Sequence, residues 1–363
     1  MKPQYIPVAL LVALVAADAS ANGNYLFVAN ESGGSVLPNE ERGNVSTYAI
    51  GADGALTQIP ERPVAAGTKP VSVAVDPSGR FAYVANCGGS NNVSGYRIAA
   101  NGSLHPVPGS PYPAGNLPWS VTVDPTGRNL YVVSEGAKTV FGFKIAADGA
   151  LSTVPNSPFP VEIDPRCAVV EETGRYAYVV NAASGNVSAF EINSEGGLTR
   201  IPGAPFPAGI FPRSITTVAQ TRFLYVANEV SDDVSGYKIE SDGILSPLPG
   251  SPFRAGIAPY YIAASGTSNV VCVTNEGSGD LSVFSINSDG SLRPLANSPF
   301  KTGSDPTGVT MDPSGTFIYV ANRVSSNISA FRVRSDLAIQ PVSGSPFAAE
   351  RGPFGLACNP GRR

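Results

Sequence analysis

Leu224-Tyr-Val-Ala-Asn228 decides the fold, because the chain repeats it. Close variants stand at Leu26-Phe-Val-Ala-Asn30, Ala82-Tyr-Val-Ala-Asn86, Leu130-Tyr-Val-Val-Ser134, Ala177-Tyr-Val-Val-Asn181, Val271-Cys-Val-Thr-Asn275 and Ile318-Tyr-Val-Ala-Asn322. Their last residues fall at 30, 86, 134, 181, 228, 275 and 322, so the steps are 56, 48, 47, 47, 47 and 47 residues. A fixed period of this length marks an architecture of stacked repeats.

Working outward from one copy gives the repeat unit. Trp119 to Asp124 is a β-rich run ended by the turn Pro125-Thr-Gly127. Leu130 to Ser134 and Thr139 to Ile145 follow as second and third runs. Asp148-Gly149 then supplies a two-residue hairpin, since such a turn needs positive φ at its central residues. Leu151 to Val154 is a short fourth run. Four antiparallel strands per unit, seven times, predict an all-β fold: a seven-bladed β-propeller with strands a to d in each blade. Strand a starts at a proline, and the distance from strand d to the next such proline is always 14 residues, as from Leu104 to Pro118 or Leu198 to Pro212. Ser-Pro-aromatic triplets such as Ser157-Pro-Phe159 lie in that connection, with the ring expected in the wedge between blades.

The chain ends also fit a ring. The first repeat begins at strand b, Tyr25, and the sequence closes with a lone strand a, Phe354 to Asn359. The predicted closure pairs that strand with Tyr25–Asn30, which removes the open seam of an unclosed sheet. One connection breaks the pattern: Asn30 to Val45 carries extra residues within Ser35 to Gly43. Ahead of the repeats, Met1-Lys2, an apolar run from Ile6 to Ala17 and Ala19-Ser-Ala21 read as a secretory signal peptide over 1–21. The run is too short to span a bilayer, which takes about 20 apolar residues. The expected mature product is one propeller domain over 22–363. It is exported to the periplasm or the extracellular space, free of the membrane after cleavage, and monomeric.

Composition narrows the chemistry. The net charge is −4, so nucleic-acid binding is disfavoured. Only 14% of residues are charged, but 42% are hydrophobic, which speaks against disorder. The single histidine, His105, excludes sites that need several imidazoles, and it falls on an outer strand d. No metal site and no cofactor is expected. There is no C-x-x-C, no phosphate loop and no EF-hand loop, and one tryptophan is too few for a quinoprotein propeller. The Asn-x-Ser sequons belong mostly to the repeat's strand c, and Cys87, Cys167, Cys272 and Cys358 map to four blades, so no disulfide is expected.

Tyr-Val-Ala-Asn, Asp-Pro-Ser/Thr-Gly-Arg and Asn-Val-Ser-x-Tyr/Phe together resemble the seven-bladed propellers of the lactonase family. That family includes bacterial 6-phosphogluconolactonases and resembles fungal muconate-lactonising propellers. Cell-surface proteins with Tyr-Val-Thr-Asn repeats share the same strand b. The resemblance spans the whole mature chain and implies a lactonase activity on a sugar-acid lactone or similar substrate. Lactonase-family members often carry histidine directly after a strand-a proline, and none of the seven such positions here is histidine. Export would also separate the protein from a cytosolic phosphorylated lactone.

Positions needed only for folding should look alike in seven quasi-equivalent blades. Two sets do not. The residues after the strand-a proline are Val71, Trp119, Arg166, Arg213, Tyr260, Thr307 and Phe354, and those after strand b are Glu31, Cys87, Glu135, Ala182, Glu229, Glu276 and Arg323. Both sets belong to one face of the disc. Lactone opening needs a base for water and a cation near the developing oxyanion. Glu229 or Glu276 is the expected base. Arg166 and Arg213 are the expected contacts for a small anionic or lactone ligand, with Trp119, Tyr260, Phe354, Glu135 and Arg323 completing the pocket. Two other roles stay open: ligand or protein binding without chemistry, and a solvated rim whose charges pair with one another.

Overall fold

A computed structural model of the protein describes residues 24–31, 42–59 and 63–359. The signal peptide expected at 1–21 and most of the Ser35–Gly43 insertion lie outside the described residues. The described residues form seven antiparallel sheets, arranged as blades, with no helix among them. Blade 1 takes strands b, c and d from Tyr25–Asn30, Arg42–Ile50 and Leu56–Gln58, and strand a from Pro353–Cys358. Blades 2 to 7 run a to d in chain order, with strand a at Pro70–Val75, Pro118–Val123, Pro165–Val170, Pro212–Thr217, Pro259–Ser265 and Pro306–Met311. Strands a of successive blades touch all the way round, so they form the inner ring. The expected closure is present: Leu26 pairs with Cys358 and Val28 with Leu356.

The repeated motif has a physical reason at each position. Its tyrosine is fully buried and staples neighbouring blades. Tyr83, Tyr131, Tyr178, Tyr225 and Tyr319 donate their hydroxyls to the carbonyls of Gly149, Gly196, Gly243, Gly290 and Gly54. Each acceptor is the turn glycine between strands c and d of the next blade, held at positive φ. A Cβ on Gly54 would stand 2.3 Å from the Phe317 ring, so the turn must be glycine twice over, for conformation and for space. Burial pushes these phenols far above their ordinary range. The motif's asparagine is also buried and binds strand c. Asn86 Nδ2 reaches Asn92 and Ser94, and Asn322 Nδ2 reaches Asn327 and Ser329. The recurring Asn-x-Ser is thus the acceptor pair for that amide.

Each sheet has a fifth strand that sequence patterning misses. Strand c has seven residues in blades 2 to 7 and strand d only three, so half of strand c would face water unpaired. A two-residue strand within the d–a connection covers that half, as Phe159–Pro160 pairs with Thr139 and Val140. The serine of Ser-Pro-aromatic accepts a strand-c N–H: Gly142 N–H to Ser157 Oγ and Gly236 N–H to Ser251 Oγ, both at 2.9 Å. The aromatic rings then enter the wedge clusters as expected; Phe206 packs among Tyr178, Val187, Leu224 and Val226 of blades 4 and 5. All four cysteines are free thiols, and His105 is exposed on strand d of blade 2.

Two outcomes check this architecture. Deleting residues 353–363 removes strand a of blade 1 and bares the edge of Tyr25–Asn30, so thermal unfolding should shift down by many degrees and aggregation should rise. An unshifted cooperative melt would refute the closure. Tyr225→Phe should cost about 1–3 kcal/mol in denaturant unfolding, because the Gly290 carbonyl stays buried without its donor.

Candidate functional site

One backbone arrangement recurs at the inner ring. The residue before each strand-a proline adopts positive φ: Lys69, Leu117, Asp164, Phe211, Ala258, Asp305 and Gly352 lie between 49° and 65°. That conformation turns its carbonyl toward the residue that follows strand b of the same blade. Seven N–H donors answer it at 2.7–2.9 Å: Cys87, Glu135, Ala182, Glu229, Glu276, Arg323 and Glu31. Each blade therefore presents three adjacent positions at the channel mouth: the residues before and after the proline, and the residue after strand b.

At this mouth all nine sequence-predicted site residues join one contact network. Its floor is aromatic. Phe354 meets Trp119 and Tyr260 edge-on, with ring centroids 6.1 and 5.9 Å apart, and Val71 and Cys87 pack beneath. The arginines lie on the floor. Arg166 and Arg213 sit 4.7 and 5.8 Å from the Trp119 ring, Arg213 is 4.4 Å from Tyr260, and Arg323 is 6.0 Å from Phe354. Such stacking suits a weakly hydrated guanidinium. Burial pushes the Tyr260 phenol up to about 12, so it stays protonated.

Carboxylates surround the arginines. Arg166 Nη1 donates to Glu135 at 2.8 Å, and Arg166 Nη2 lies 2.7 Å from Asp164. Arg213 Nε lies 2.7 Å from Glu229 Oε2. Arg323 Nε donates to Asp305 at 2.6 Å, while its two Nη atoms stand 3.8 and 3.7 Å from Glu31 and Glu276. Those last two separations exceed a hydrogen bond, so the outer fork of Arg323 is not saturated. Arg323 is also the most exposed of the three, at 37% against 11% and 14% for the side chains of Arg166 and Arg213. Six carboxylates thus face three guanidiniums, and the mouth carries no excess of positive charge. The expected anion-binding pair, Arg166 and Arg213, is already held by carboxylates.

The excess of acid shows in Glu276. Desolvation raises its pKa first, and a hydrogen bond and like charge from Asp305 raise it further, against the pull of Arg323, so it reaches about 7. Glu135 is also raised by desolvation, opposed by Arg166. A glutamate poised near neutrality beside an unsaturated guanidinium is the arrangement that general-base opening of a carbonyl compound needs.

Asp164 and Asp305 are the members of this candidate site that sequence reading missed. They occupy the position before the strand-a proline, which varies from blade to blade as the two predicted sets do. That variation was the available signal. Two cavities, of about 560 and 500 Å³, open on the opposite face. The second sits at the far end of the ring, lined by Thr216, Thr217, Ile262, Thr310, Met311 and Glu172. It has no arginine among its lining residues.

Comparison with known proteins agrees with this architecture. The family described as "Lactonase, 7-bladed beta-propeller" matches residues 16–246 and 195–341. Among curated proteins none matches the chain. A protein of Bacteroides fragilis NCTC 9343 assigned as a 6-phosphogluconolactonase is 18% identical, with a TM-score of 0.78 over 94% of this chain and 99% of its own. The periplasmic gluconolactonase PpgL of Pseudomonas aeruginosa is 20% identical, with a TM-score of 0.75 over 93% of this chain and 99% of its own. At such identities these two likenesses speak for the fold. The family match extends over most of the sequence, and on it the chain belongs to the seven-bladed β-propeller lactonases.

Proposed function

We propose that the protein is an exported lactone hydrolase whose base is Glu276 and whose carbonyl contact is Arg323, with Arg213 and Glu229 as a second, more tightly paired set. The observation that carries this reading is the Glu276–Asp305 carboxyl pair beside the unsaturated fork of Arg323. Ionised Glu276 takes a proton from water, and the oxygen of that water attacks the lactone carbonyl carbon. Negative charge develops on the carbonyl oxygen and is met by Arg323. The ring C–O bond breaks, Glu276 returns the proton to the leaving alkoxide, and a hydroxy acid departs.

An uncharged lactone suits the mouth better than a phosphorylated one, because six carboxylates would repel a dianion. The periplasmic gluconolactonase among the structural relatives supports export and a sugar-acid lactone as the first substrate to try. The reading takes the mature protein as a monomer that needs no cofactor. A second reading, a ligand-binding scaffold without chemistry, draws support from the ion pairs that already hold Arg166 and Arg213.

Hydrolysis of sugar-acid and simple lactones by the purified mature protein separates the two. Glu276→Gln should lower kcat/KM by about 10²–10⁴-fold, with Glu229→Gln, Glu276→Gln as the double control. In the wild type kcat/KM should rise with pH through about 7, because the base must be ionised. Asp305→Asn removes a like charge that raises Glu276, so that midpoint should move down. Full activity in Glu276→Gln would overturn the assignment, and inert wild-type protein would favour the scaffold.

A further inference from the structure

Among the described residues, the large hydrophobic side chains that stand exposed are Ile163, Ile210, Val230, Ile257 and Val324, at 56–69%. Single exposed hydrophobics are ordinary on a protein surface. These five are not scattered. Ile163, Ile210 and Ile257 each stand two residues before the strand-a proline of blades 4, 5 and 6. Val230 and Val324 each stand two residues after the last residue of strand b in blades 5 and 7. Both positions adjoin the mouth positions in sequence, so all five belong to the mouth face and to four consecutive blades.

The backbone fixes this apolar rim. The N–H groups of Ile163, Ile210 and Ile257 donate to Ser184, Ser231 and Ser278 of the facing b–c turns. Val230 N–H donates to the Ile210 carbonyl at 3.1 Å, which places the two side chains on neighbouring strands of loop. The Ile257 side chain lies across Gly277, where a Cβ would be 2.8 Å away. The equivalent places in blades 1 to 3 carry Thr68, Asn116, Arg351, Gly88 and Gly136. The rim therefore flanks only the half of the mouth that holds Arg166, Arg213, Glu229, Glu276, Asp305 and Arg323.

From this one-sided placement we infer that the lactone carries an aliphatic chain, which leaves the ring at the Glu276–Arg323 pair and lies over Ile210, Val230 and Ile257. The inference rests on the lactonase reading and narrows its substrate class. A polyhydroxylated ring alone has no use for five exposed aliphatic side chains, which water solvates at a cost that only an apolar partner relieves. An anionic bilayer is a poorer occupant, because the acidic mouth borders the rim and the chain's net charge is −4.

The test reads binding and turnover separately. The chain has one tryptophan, Trp119, in the mouth floor, so its fluorescence reports occupancy. The full mature protein is titrated with non-hydrolysable δ-lactams, unsubstituted or bearing propyl, pentyl or heptyl chains. Full burial of a methylene is worth roughly fourfold in affinity, and an open rim covers about half of it, so Kd should fall about twofold per methylene. The triple variant Ile210→Ser, Val230→Ser, Ile257→Ser should lose that slope and bind the unsubstituted lactam as the wild type does. A wild type without a chain-length slope, or a variant that keeps it, overturns the inference, even where sugar lactones are hydrolysed. Vesicle binding by the wild type alone, with no slope, overturns it in favour of a membrane surface. Failure to hydrolyse any lactone, with the slope present, sinks the hydrolase and leaves the apolar-chain ligand standing.

Discussion

The hydrogen bond from the residue after strand b to the carbonyl before strand a is the interaction on which the rest of the structure depends. It occurs in all seven blades, whereas the tyrosine staple occurs in five. It requires a left-handed residue before a proline, a conformation that asparagine, aspartate and glycine adopt most easily. Leu117, Phe211, Lys69 and Ala258 adopt it too, held there by the bond itself and by the pairing of strands a and b. The same bond that ends the sheet ladder places three variable side chains per blade around the axis. Fold and site are one construction here: conserving the backbone frees the side chains.

The site is an electrostatic compromise built on that frame. Six carboxylates around three arginines lower the cost of burying each guanidinium, and the aromatic floor shields them from water. The balance is uneven. Arg166 is enclosed by two carboxylates, while Arg323 keeps part of its fork free and Glu276 is left close to neutrality between Asp305 and Arg323. The lone histidine, His105, stands exposed on an outer strand, away from this mouth.

Much of this was legible in the sequence because a repeat supplies its own control. The 47-residue step gave the blade, the lone C-terminal strand gave the closure, and departures from the repeat picked out nine mouth residues that the structure joins in one network. What escaped was hidden by local grammar. Asp164 and Asp305 precede prolines and read as turn residues, so their role beside Arg166 and Arg323 was masked. The fifth strand is two residues long in six blades and contains a proline in three of them, which no alternation pattern reveals. That Arg166 and Arg213 form ion pairs with Glu135, Asp164 and Glu229 follows from three-dimensional proximity, which spacing along the chain does not encode.

The central claim is that the chemistry sits at the acidic mouth and not in the cavity at the other end of the ring. A crystal structure of the protein with a bound lactam tests it most directly. The account predicts the ring carbonyl within hydrogen-bond reach of Arg323 or Arg213, with Glu276 facing the carbonyl carbon across one water. A lactam seated among Thr216, Thr310 and Met311 on the opposite face, with the mouth unchanged, would contradict it.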